Sequence, residues 1–98
     1  METDYLIAIE AFCASHQIEV SFISSLRQTG LIEITTVEET GFIDAGQIQD
    51  VEKFVRFHYD LDINIEGIET LSHILKRIEQ MQSEMTELRN RLRLYEPE

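Results

Sequence analysis

From Leu71 to Tyr95 the apolar positions keep a strict rhythm. Leu71, Ile74, Ile78, Met81, Met85, Leu88, Leu92 and Tyr95 follow one another at alternating intervals of three and four. This is an a/d heptad seam, and it predicts a long helix that winds against another helix of its kind. Alone in water such a helix gains little, because burial of its apolar stripe supplies most of its stability. A second copy of the chain is the simplest partner, so a homodimer is expected, with these eight residues as the dimerisation surface. In a parallel pair Glu84 at g faces Arg89 at e of the other copy; in an antiparallel pair it faces Arg77. Met81 and Met85 make the middle of the seam adaptable.

The first 63 residues show shorter patterns and predict a small folded head; residues 64–98 form the helical extension. Dense apolar residues (Tyr5, Leu6, Ile7, Ile9) lead into a short helix over Ile9–Ser15, with Phe12 and Cys13 inward. Ser15-His16-Gln17 predicts a turn. A second helix over Glu19–Thr29 carries Phe22, Ile23 and Leu26 at helical spacing, and Gly30 sits where it would stop. Two short helices joined by a tight turn form a helix-turn-helix unit. The period then changes: β-branched residues predict strands at Leu31–Thr36 and Thr40–Ile43, a hairpin wing beside the helices. Asp44-Ala45-Gly46-Gln47 has the form of a capping box, with Asp44 capping and Gln47 reaching back to it. The third helix carries Ile48, Val51, Val55 and Tyr59, its apolar face widened by Phe54, Phe57 and Leu61, and should end near Asp60. Asn64 caps a helix that runs through Gly67 into the heptads. Gly67 weakens that helix by about 1 kcal/mol relative to alanine unless close packing requires it. Glu96-Pro97-Glu98 ends it.

Charge sharpens this picture. The 98 residues hold 19 acidic and 8 basic side chains, a formal charge of -11. Up to Glu52 the only lysine or arginine is Arg27. Such a head repels nucleic acid and membrane surfaces and favours a basic protein partner, or else the charge serves only solubility. No apolar run reaches the roughly 18 residues of a membrane span, and no secretory signal opens the chain. Cys13 is the lone cysteine, so a reducing cytoplasm fits best.

Several stretches resemble the MerR-like winged helix-turn-helix domains, and more closely the CbpM-like chaperone modulators. They are Glu10-Ala11-Phe12-Cys13, Gly30-Leu31-Ile32-Glu33, Phe42-Ile43-Asp44, the segment Leu61–Ile68 ending in Gly-Ile, and Arg89-Asn90-Arg91-Leu92. The chain departs from the family at Ile65-Glu66, where Trp-Pro is frequent. The resemblance implies a mainly α fold: a MerR-like winged head, a small β-hairpin wing and a long C-terminal coiled-coil helix. It also implies binding to the J-domain of a DnaJ-like co-chaperone, which restrains its stimulation of Hsp70. The acidic head fits a partner that uses a basic helix.

The candidate partner-binding residues are therefore Glu10, Glu19, Glu33, Glu38, Glu39 and Asp44; each taken singly is better explained as part of a solvated face, but as a group they set the sign of the surface. Phe22 belongs to the core, or would anchor a partner if exposed. The alternative function is a MerR-like DNA-binding transcriptional regulator. Against it, the second helix carries only Arg27, and the wing carries Glu33, Glu38 and Glu39 with no base to grip phosphate. A scaffolding dimer for another basic protein is a third reading. Catalysis has no support: His16, His58 and His73 are scattered, and Cys13 fits a buried hydrophobe. His58, Asp60 and Asp62 match no metal-ligand spacing, and no cofactor or glycine-rich phosphate loop is expected.

Overall fold

The computed structural model describes residues 5–95. Strand β1 (Leu6–Ala8) leads directly into helix α1 (Ile9–His16), followed by α2 (Val20–Gln28). Strands β2 (Ile34–Val37) and β3 (Thr40–Asp44) come next. A short 3-10 turn, Ala45–Gln47, enters α3 (Ile48–Val55), which relaxes into a π-helical turn, Arg56–Asp60. Helix α4 runs without interruption over Ile65–Tyr95. The Glu96-Pro97-Glu98 terminus lies outside the described residues.

The predicted wing is one strand larger than its sequence signature. β3 pairs antiparallel with β2 on one side and β1 on the other, in the order β1-β3-β2. Ile7 opposes Ile43, and Ile34 opposes Ile43 from the other side. Three residues of strand pattern carry no signal until β3 supplies the hydrogen bonds. The first wing strand begins at Ile34, not Leu31: Leu31 and Ile32 form a bend, with Ile32 buried in the core.

Chain reversals rest on left-handed residues. Gln17 (φ 57°), Gly30 (φ 84°) and Asp62 (φ 59°) follow the ends of α1, α2 and the π turn. At the first two, the next amide bonds back five residues, Ile18 to Cys13 and Leu31 to Leu26, each at 3.0 Å, as in a Schellman cap. α1 thus keeps Ser15 and His16 within the helix, and the turn begins at Gln17.

The capping box is half right. Asp44 Oδ1 accepts from the Gly46 amide at 2.9 Å. Gln47 instead turns to Glu33, accepting from its amide and donating to its carbonyl, both at 2.8 Å. The side chain thereby ties the entry of β2 to the entry of α3. Further on, Leu61 does not widen the apolar face of α3: the π turn shifts the phase and leaves it 62% exposed.

All the helices and the sheet share one core, in which Ile23, Leu26, Ile43, Val51 and Ile68 are fully buried. Ile68 comes from the first turn of α4, so the long helix is rooted in the head. Asn64 Oδ1 caps that root by accepting from the Gly67 amide at 2.8 Å. A Cβ at residue 67 would lie 2.7 Å from Ile63 Cγ2 and 3.1 Å from Asn64 Oδ1, which explains a glycine inside a helix.

Candidate partner-binding surface

Helix α2 presents its first residue, Val20, together with Ser21, Ser24, Arg27 and Gln28 to solvent. The opposite face is core. Phe22 is buried and stacks on His58, ring centroids 4.7 Å apart, with Tyr59 edge-on at 5.4 Å. Phe22 is therefore a packing residue and not an exposed anchor. The π turn that places His58 and Tyr59 also fixes the start of α2, since the Glu19 amide donates to Tyr59 Oη at 3.2 Å. His58 Nδ1 lies 2.9 Å from the Ile63 carbonyl, closing that turn.

The six candidate acids are all exposed but do not form one cluster. Glu38 and Glu39 make the two-residue tip of the wing, between the paired residues Val37 and Thr40. Both take positive φ, 51° and 65°, the type I′ geometry that usually selects Asn-Gly. Two such residues with side chains cost about 1 kcal/mol each. Glu33 and Asp44 flank the Ile34–Ile43 pair at the base of the wing. That places them about 15 Å from the tip at the usual rise per strand residue. Glu10 opens α1, and Glu19 precedes α2, where its carboxylate accepts from Ser21 Oγ at 3.2 Å.

One groove joins parts of this set. It has a volume of about 260 Å³ and is lined by Ala8, Ile9, Glu10, Val20, Glu39, Thr40 and Gly41. Sequence alone could not find it, since it brings together the starts of two helices and one side of the wing.

Beyond the head, the seam lies open. Leu71 is half-buried, but Ile74, Ile78, Met81, Met85, Leu88, Leu92 and Tyr95 are all exposed, Leu88 at 58% and Leu92 at 59%. Lys53 pairs with Asp50 at 3.9 Å and His16 Nε2 lies 3.3 Å from Glu52 Oε2, whereas Arg77, Glu84 and Arg89 form no ion pair among the described residues. The remaining chemistry is structural. His16 stacks on Phe12 and joins α1 to α3 through Glu52. Cys13 is buried, and desolvation raises its thiol pKa above the ordinary 9.0, which suppresses the reactive thiolate. No group of three or more potential metal ligands occurs among the described residues. No helix there is long and apolar enough to cross a membrane.

Paired short helices, a small antiparallel wing and a long terminal helix define a winged helix-turn-helix protein. A family model described as MerR HTH family regulatory protein matches residues 7–90, and the chain belongs to that family. Its members are regulatory proteins. No curated protein and no solved structure matches the chain significantly.

Proposed function

We propose that this protein is a CbpM-like chaperone modulator. It binds the J-domain of a DnaJ-like co-chaperone and limits the stimulation of Hsp70. The observation that carries this reading is the charge of the face that a DNA-binding relative would present. The exposed side of α2 offers Arg27 alone, and the wing offers Glu33, Glu38 and Glu39. With Arg27 the single basic residue on those elements, most of the phosphate contacts that dominate DNA affinity are missing. The same negative field accelerates encounter with a basic helix, while apolar contacts set the lifetime of the complex. A homodimer through the exposed α4 seam would carry two such heads and bind two J-domains. The buried, lone Cys13 and the absence of a membrane-crossing helix among the described residues are compatible with action in the cytoplasm.

Calorimetric titration with the J-domain of the co-chaperone from the same source tests the proposal. We expect micromolar or tighter binding that weakens as salt rises. The second reading, a MerR-like DNA-binding transcriptional regulator, is favoured by the family match itself. A defined duplex bound in place of the J-domain would establish it instead.

A further inference from the structure

We infer that the groove between the wing and the starts of α1 and α2 is the seat for a lysine or arginine projected from a basic partner helix. This rests on the chaperone-modulator reading and assigns that partner a place. The floor of the groove is apolar: Ile9 is half-buried, and Val20 is 46% exposed although it is a branched aliphatic at the start of a helix. Two acidic residues line it from different elements, Glu10 from α1 and Glu39 from the wing tip. An apolar floor beneath a pair of acids matches the amphipathic build of a long basic side chain. Its methylene stem lies over Val20 and Ile9, and its cation reaches the carboxylates.

The field at the groove is negative on balance. The amino ends of α1 and α2 both open on this groove, each worth about half a positive charge. Against them stand Glu10 and Glu39, with Glu19 adjoining Val20, so the mouth stays negative. The wing tip contributes a further acid at Glu38. Glu33 and Asp44 lie at the other end of the hairpin and do not line the groove. The seat is therefore local, and it can be separated from the general negative charge of the head.

The experiment compares equal charge changes in two places, using the full chain and the J-domain. Glu10→Gln/Glu39→Gln removes two charges at the groove; Glu33→Gln/Asp44→Asn removes two at the wing base while keeping the oxygen that caps residue 46. We expect the groove pair to weaken binding about tenfold and to flatten its salt dependence, with less than a twofold change for the base pair. Val20→Ser should weaken binding about threefold with the salt dependence unchanged, because it removes floor and not charge. Thermal unfolding by circular dichroism confirms that each variant folds. If the natural chain binds no J-domain, the function and the seat fall together. If it binds and the groove variants match it, the seat alone falls. Equal losses for the two pairs would replace the seat with a diffuse field. Altered sedimentation of Val20→Ser alone would give the groove to a second copy, which also overturns the proposal.

Discussion

Ile68 and Ile78 stand on the same helix and have the same side chain, yet one is fully buried and the other is 42% exposed. Ile68 belongs to the core of the head, which residues of α1, α2, α3 and the sheet share. Ile78 belongs to a stripe that, from Ile74 onward, stays exposed among the described residues. The contrast divides α4 by what stabilises it: its first turns by tertiary packing within one molecule, the remainder by whatever meets the seam. Stability of the first part should be independent of protein concentration. Stability of the second part should depend on protein concentration.

Substitutions can break this contrast at either end. Ile68→Ala should destabilise the head by about 3 kcal/mol, the usual cost of emptying a buried isoleucine, at every protein concentration in urea titrations. Ile78→Ala should cost less, and its cost should fall on dilution; equal, concentration-independent effects would erase the division. Leu88→Asp/Leu92→Asp should yield monomers by sedimentation and lower the helix signal while the head still unfolds cooperatively. Dimers in that variant would remove the seam from the assembly.

Smaller effects sharpen the picture within the head. Glu38→Asn/Glu39→Gly supplies the residues that a type I′ turn prefers and should stabilise the head by about 1–2 kcal/mol. A loss in thermal melting would mean that the two glutamates fit their turn without strain. Gly67→Ala gains about 1 kcal/mol in helix propensity but forces a methyl against Ile63 and Asn64. A net loss of about 1 kcal/mol is expected, and a gain would show that the root of α4 can shift. The smallest effect concerns Cys13. Its raised thiol pKa means that the unfolded chain loses that proton first, so stability should decline as pH rises above about 9. Cys13→Ala should abolish that decline.

The legible parts of this molecule were those with a local cause. The heptads of α4, the aliphatic spacing of α2, the stop at Gly30 and the cap at Asn64 each depend on residues within a few positions. What escaped depends on partners far along the chain. β1 is three residues long and exists because β3 offers an edge. Gln47 satisfies the backbone of Glu33, 14 positions away, in preference to the nearby Asp44. The six acids were visible individually, but the groove that unites Glu10 and Glu39 arises only when the wing folds beside α1. The exposure of the seam was implicit in its regularity, because a stripe that packs back on a small head has little reason to keep phase over eight positions.

Continuity between Ile68 and Tyr95 makes α4 a lever arm. At the usual rise, those residues are about 40 Å apart. A tilt of about 10° at the root would therefore carry the tip about 7 Å. The same rod transmits rotation. One residue inserted after Ser72 would turn the distal seam by about 100° relative to the head, whereas seven would nearly restore the alignment. Two heads joined through this seam would thus have their mutual bearing set by how many residues separate the core from the first heptad, as teeth on a shaft set the timing of two cams.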